Sequence, residues 1–418
     1  MDIRTSIQSD AKEAFLNSER KNSIIVGTGG GKSKIAIDIL KEINPNSILL
    51  LTNSQTLRDE NWKKEFEKFD YPWDKVVSEC YQTAYKWEGK HFEFIIADEG
   101  DFIADEYVKV FTNNTYDNLL LMTGFLPEEK KELIESIAPV CFTAVTEELQ
   151  ETGLLNESEI IIVEYNLSKK KDLMVPKGKS GAYFYTSEND SYRYYDKEFS
   201  KAVVVKSAIE KKYKLFPNPE ILKSLSSADW KFKVMASKRK SILNNLNSSV
   251  EVVKEIVKVI HSKPNNKVLI FSALTKQCDK LINPFHGKSN EDVSGIEDLN
   301  ENKINTLSVC KKINRGINLT GVNYSIRESF DGSEVDFHQT HGRLMRLPPG
   351  QKARYLILVP YYSEPTRNPG GFGYTTVKYP TQAKKWADNM MKNFSSDNVR
   401  TIRLTSDNKL PADHGLLD

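Results

Sequence analysis

Four cysteines, Cys80, Cys141, Cys278 and Cys310, are scattered through the chain, and no two form a CxxC pair. That spacing excludes a disulfide framework or a cysteine zinc site and points to a reducing compartment. Long apolar runs are missing too. Nothing approaches the eighteen residues of a membrane-spanning helix, so no membrane association is expected. The opening Met1-Asp2-Ile3-Arg4 is not that of a signal peptide, and a cytoplasmic protein is expected. There is no internal repeat, and no low-complexity tract beyond Lys169-Lys170-Lys171. A strong net charge is absent as well: 59 Lys and Arg stand against 57 Asp and Glu, a balance of +2. Overall charge therefore does not announce a polyanion as partner. With 418 residues, 39% hydrophobic and 28% charged, the chain has the composition of a globular protein of two or three domains.

What the chain does have begins at Ile24-Ile25-Val26-Gly27-Thr28-Gly29-Gly30-Gly31-Lys32-Ser33. An apolar run, a glycine-rich turn and Gly-Lys-Ser opening a helix form a phosphate-binding loop. Glycines let successive backbone N–H groups point at phosphate oxygens, and the helix N-terminus adds its positive dipole end. Lys32 is placed to reach the β- and γ-phosphates, and the Ser33 hydroxyl to take a position on Mg²⁺. Val26 stands where the strict pattern has glycine. Upstream, Gln8 either reads an adenine edge with its amide or is an ordinary polar residue of a surface helix.

Apolar spacing predicts a helix over 32–43, ended before Pro45, then a buried strand over 47–52. Thr52 and Asn53 follow at the strand end, before an amphipathic helix with Leu57, Trp62 and Phe66. A second strand over 92–97 runs into Asp98-Glu99-Gly100-Asp101. Downstream of a phosphate loop, this pair suits Asp98 to holding Mg²⁺ and Glu99 to orienting or deprotonating a water. A third strand over 118–122 ends in Thr123-Gly124-Phe125, which either couples the nucleotide site to a second domain or is a plain turn before a helix at Pro127. Residues 159–163 read as a last strand, completing a parallel sheet with right-handed crossovers.

Residues 168–240 change character. They hold eighteen Lys and Arg against eight Asp and Glu, an excess of ten positive charges, while the remainder of the chain has an excess of eight negative ones. A basic block on an otherwise acidic chain is an electrostatic footprint for nucleic acid. Aromatics interleave it, and 182–186 with 192–196 read as a β-hairpin around a polar turn. Tyr192 and Tyr194 on that hairpin either stack on bases or pack inward. Helical patterns follow over 199–214, 218–223 and 236–246.

The second half restarts an α/β pattern without a second phosphate loop, with strands over 268–272, 306–309, 324–326 and 355–359. The sequence Gln339-Thr340-His341-Gly342-Arg343-Leu344-Met345-Arg346 places two arginines three apart, on one face if helical. Forked guanidiniums suit charge developing on a γ-phosphate. Residues 361–380 read as a Gly- and Pro-rich loop, 381–394 as a terminal helix, and the last residues as frayed.

Seven stretches in this order resemble superfamily 2 helicases and translocases of the DExH type: 26–33, 52–66, 97–101, 121–125, 268–272, 314–321 and 339–346. The nearest look is of compact phage helicases that remodel branched DNA, which would put the protein in a host cytoplasm. The resemblance implies two tandem RecA-like parallel-sheet domains with ATP and Mg²⁺ between them. Domain one (1–167) would supply Lys32, Ser33, Asp98 and Glu99; domain two (247–400) would supply Gln339, Arg343 and Arg346. A basic connecting segment (168–246) and a tail (401–418) complete the expected layout. Thr52, Asn53, Ser272 and the 314–321 loop, including Asn318 and Thr320, match the family's strand-tracking motifs. The acidic box departs from the family in ending Gly100-Asp101, and Thr123-Gly124-Phe125 replaces the usual Thr/Ser-Ala-Thr. The implied activity is ATP-driven movement on and unwinding of DNA, by a monomer or with an accessory protein. An RNA helicase, or a motor that does not separate strands, is the alternative.

Overall fold

The computed structural model describes residues 3–53, 61–176, 183–285, 294–310, 319–330, 332, 337–338, 341, 347, 351–368, 372–392, 394 and 396–417. Its first sheet is built from β1 (Lys21–Val26), β2 (Ile48–Thr52), β3 (Val76–Cys80), β4 (His91–Asp98), β5 (Thr115–Thr123) and β6 (Val140–Ala144). They lie in the order β3-β2-β4-β5-β1-β6, and every pairing is parallel. The short apolar runs reflect burial on both faces. In β2, Ile48 and Leu50 enter one core with Phe15, Ile35 and Phe66, while Leu49 and Leu51 enter the other with Tyr81 and Ile134. The helix after β1 spans Lys32–Ile43, as its apolar spacing predicts.

The second sheet uses β7 (Ser158–Asn166), then β10 (Val268–Ser272), β11 (Pro284–Phe285), β12 (Thr306–Cys310), β13 (Tyr324–Arg327), β14 (Ala353–Arg367), β15 (Tyr374–Pro380) and β16 (Val399–Arg403). Its order is β11-β12-β10-β13-β14-β7-β16, with β15 antiparallel on β14. Two parallel sheets with helical connections give the tandem RecA-like α/β architecture.

Four expectations about the fold need correction, one of them the loop read at 361–380, where Tyr361–Arg367 and Tyr374–Pro380 are paired strands. The strand read at 159–163 does not close the first sheet. It is β7, and it lies between β14 and β16 of the second. Its alternate residues serve the second sheet's two cores, Ile161 and Val163 one, Ile160 and Ile162 the other. The first sheet therefore ends at β6, well before residue 167. The tail is not frayed either: β16 pairs with β7, and Leu416 is fully buried with its carbonyl accepting from the Tyr324 hydroxyl at 3.1 Å.

The last concerns the basic segment. Tyr183–Thr186 is a strand, β9, but its partner is the preceding Leu173–Pro176, β8. Tyr192–Asp196 lies in a 28-residue helix, Glu188–Leu215. Ser187, read as part of a turn, is that helix's N-cap, its hydroxyl accepting from the Asp190 N–H at 3.0 Å. A second long helix, Pro219–Leu243, packs back on it, started by Asn218 and Pro219. The pair forms a helical arm. Because β7 precedes it and β10 follows, the arm is an insertion within the second α/β unit rather than a connector between two.

Candidate nucleotide and nucleic-acid site

Strands β4, β5 and β1 are neighbours, and their C-terminal ends carry Asp98, Thr123 and Val26. Open parallel sheets bind ligands at that edge. After Val26 the chain turns through Gly29 and Gly31, both at left-handed φ (104° and 92°). Gly31 occupies the N-cap of the following helix with no side-chain cap. Its terminal N–H groups thus have no side-chain competitor for an anion. The loop is closely covered: a Cβ on Gly27 would lie 2.8 Å from Thr146 Oγ1, and one on Gly31 would lie 2.1 Å from Gln8 Nε2. Gln8 donates from Nε2 to the Gly30 carbonyl at 3.3 Å, so its amide sits on the loop.

Lys32 Nζ donates to the Val26 carbonyl at 3.3 Å, which holds the ammonium over the turn. Gly124 approaches the same group, since a Cβ there would stand 3.3 Å from Lys32 Nζ and 3.2 Å from Thr28 Oγ1. Thr123-Gly124 is thereby in contact with the phosphate loop. The Thr123 hydroxyl lies 2.9 Å from Asp101 Oδ1 and 2.8 Å from the Phe125 carbonyl, tying the end of β5 to the acidic box.

Asp98 is buried. Burial, and then the neighbouring Glu99 carboxylate, push its pKa up to about 6, while Lys32 pulls in the opposite direction. The Trp62 indole N–H donates to Asp98 Oδ2 at 2.8 Å, and the Glu99 N–H to Oδ1 at 3.0 Å. The Tyr81 hydroxyl donates to the Asp98 carbonyl at 2.9 Å. Glu99 itself has left-handed backbone, φ 53° and ψ 54°, which turns the chain sharply between the two carboxylates. Two adjacent carboxylates beside one ammonium form a donor set that a divalent cation would complete, so the residues fit Mg²⁺. Trp62, Tyr81 and Asp101 escape sequence reasoning. An aromatic in an amphipathic helix reads as core, and only the fold aims its N–H at Asp98.

The expected strand-tracking residues divide. Thr52 is fully buried. Ser272 is buried too, its hydroxyl donating to Glu328 Oε2 at 3.2 Å. Asn53 sits at the end of β2 with both side-chain polar atoms buried and without a hydrogen-bond partner among the described residues. Thr320 is exposed, its N–H donating to Asn300 Oδ1 at 2.9 Å. Tyr192 is fully buried, with its ring 5.4 Å from Tyr362 and its hydroxyl accepting from the Gln382 N–H at 2.8 Å. It is a core residue at the arm's root and not a base-stacking one. Tyr194 is 59% exposed. Asn318, Gln339, Arg343 and Arg346 lie outside the described residues.

Beside those last positions, His338 stacks on Phe125, with ring centroids 4.0 Å apart and planes at 16°. The residue after the Thr123-Gly124 turn thus touches the segment that carries the paired arginines. Burial lowers the His338 pKa to about 4, and burial with the nearby His338 lowers that of His341 to about 3. Both imidazoles are neutral at physiological pH.

Residues 248–348 match the family model described as the helicase conserved C-terminal domain. Solved structures with this fold include S. cerevisiae Dbp5 bound to RNA and ADP BeF3. It is 13% identical, with 95% of this chain and 89% of that one covered at a TM-score of 0.54. Another is the ATP-dependent Type ISP restriction-modification enzyme LlaBIII bound to DNA, 12% identical at a TM-score of 0.55. All but 1% of this chain is covered there, but it spans only 31% of that protein. No curated protein matches the chain. At these identities the likeness establishes the architecture, two RecA-like sheets in tandem.

Proposed function

We propose that the protein is an ATP-driven nucleic-acid helicase or translocase of superfamily 2, with DNA as its track and RNA as the competing one. One observation carries the reading: Lys32, Gly124 and the Asp98-Glu99 pair converge at the C-terminal ends of three adjacent parallel strands. The helicase C-terminal match over 248–348 supports the motor half of the proposal.

Bound MgATP supplies the transferable γ-phosphoryl group and the cation that neutralises it. The chain's own residues do the rest. The uncapped N–H groups at Gly31 and the following turn hold phosphate oxygens, and Lys32 turns from the Val26 carbonyl towards them. Ser33 and Asp98 would hold the cation, with the Trp62 indole N–H and the Glu99 N–H fixing the orientation of the Asp98 carboxylate. Glu99 orients the attacking water and takes its proton. Gln339, Arg343 and Arg346 are assigned to the far side of the cleft on the resemblance of their motif. Two guanidiniums there are worth about 10³–10⁵ in rate. Thr123-Gly124-Phe125 touches both the loop and His338, so it is the contact through which site occupancy reaches the second unit.

Glu99→Gln tests the assignment. It keeps the shape of the side chain and removes the base. ATP binding by filter or fluorescence titration should be retained, while turnover falls by about 10²-fold or more. Wild-type turnover in this variant would contradict the role given to Glu99.

A further inference from the structure

The read-out of the track is best marked by a hairpin that the sequence presented as a loop. Strand β14 is 15 residues long, but only Ala353–Tyr361 pair with β7. From Tyr362 to Arg367 it pairs with β15 alone, so the two strands leave the sheet as a projecting β-hairpin. Its root is firmly seated. Asn189 of the arm mimics a strand edge, accepting from the Ser363 N–H at 2.6 Å and donating to the Ser363 carbonyl at 3.0 Å. Tyr362 lies between Tyr192 and Tyr379, and Lys197 of the arm pairs with Glu364.

Its outer end is also closed. The Asn368 N–H donates to the Gly373 carbonyl at 3.2 Å, and Asn368 Nδ2 donates to the Phe372 carbonyl at 2.9 Å. Gly373 has φ 75°, which a side chain would strain. Two aromatics at this end stand in water: Phe372 is 90% exposed and Tyr374 72%. The fold gains almost nothing from either ring, because neither is removed from solvent. Residues 365–380 contain no Asp or Glu, and Arg367 and Lys378 are exposed along them. A second copy of the chain would bring the same positive charge to this surface. A strand of nucleic acid brings negative charge and stackable rings.

We propose that Phe372 and Tyr374 stack on unpaired bases at a single-strand to duplex junction, with Arg367 and Lys378 facing the phosphates. This rests on the nucleic-acid track proposed above and names the part of the molecule that reads it. Stacking needs no particular base, which suits a motor that moves along any sequence.

The test uses the full chain and forked DNA carrying 2-aminopurine at the first unpaired position. Wild type should change the probe's fluorescence on binding. The Phe372→Ala/Tyr374→Ala variant should lose that signal and bind the fork about tenfold or more weakly, by a similar factor at every salt concentration, because the lost contacts are uncharged. Phe372→Trp should restore the signal. Both rings are exposed, so thermal unfolding and nucleic-acid-free ATP hydrolysis should match wild type. Unchanged fork binding and fluorescence in the double variant would overturn this inference alone. So would a wild-type dimer, or binding to phosphatidylserine vesicles, that the double substitution abolishes in place of fork binding. Failure of wild type to bind any nucleic acid would overturn it together with the proposed track. Hydrolysis by wild type and Glu99→Gln would still report on the nucleotide site.

Discussion

Gly100 shows how one residue of the acidic box answers to its neighbours. A Cβ there would lie 2.2 Å from Leu121 Cδ2, and Leu121 is fully buried in β5. The acidic box departs from the resembled pattern here, and because β5 fills the space an added methyl would overpack the core. His338 and His341 make a second residue-scale point with a measurable consequence. Their folded pKa values, about 4 and about 3, lie below the ordinary 6.5. The unfolded chain therefore takes up protons first as pH falls. Their contribution to stability is complete above pH 6.5 and is lost on acidification from 6.5 towards 4 and 3. Each costs about 1.4 kcal/mol per pH unit in that window. His338→Phe keeps a ring on Phe125 and removes one titrating site. Urea midpoints between pH 7 and 5 should fall less steeply in this variant, by roughly one proton's slope. An unchanged slope would mean that His338 is not held neutral in the folded protein.

The arm is the element in which local sequence and tertiary structure disagree most instructively. Its interior spacing was legible as helix, but in fragments. The start was obscured because Ser-Glu-Asn-Asp serves equally as a turn and as an N-cap, and only the backbone N–H accepted by Ser187 decides between them. Strand β7 was legible as a strand, yet its sheet was not, since a run buried on both faces carries no address. By contrast, the helix after Lys32 and the strand that ends at Asp98 were readable outright, because their apolar spacing marks them. The hairpin β14–β15 was hidden by its Gly and Pro content. The arm's root also bears on stability. Glu188 is buried and accepts from the N–H groups of Ser168 and Ser248, at 3.2 and 3.1 Å, and from Asn247 N–H. One carboxylate thus caps the helix Asn247–Ile260 and fixes the arm against it. Glu188→Ala should destabilise the protein by about 2–3 kcal/mol in urea unfolding, and Glu188→Gln by less. Equal midpoints for Glu188→Ala and wild type would show that the arm is held by apolar contacts alone.

At the scale of the whole molecule, two sheets carry different halves of one proposed task. The first presents the phosphate loop and the buried carboxylates at one edge. The second carries the helicase C-terminal match, and from it project the basic arm and the aromatic hairpin, seated side by side through Asn189, Lys197 and Tyr192. Phe125 on His338 is a contact between the halves, beside the proposed nucleotide site. Such a layout predicts that hydrolysis and strand binding depend on each other. The most direct measurement is steady-state ATP hydrolysis by wild type and Lys32→Ala, each alone and with single-stranded DNA, forked DNA and single-stranded RNA at several salt concentrations. The account predicts strong stimulation by DNA, absent in Lys32→Ala and weakening as salt rises. Hydrolysis by wild type that no polymer stimulates, or that survives Lys32→Ala, would contradict it.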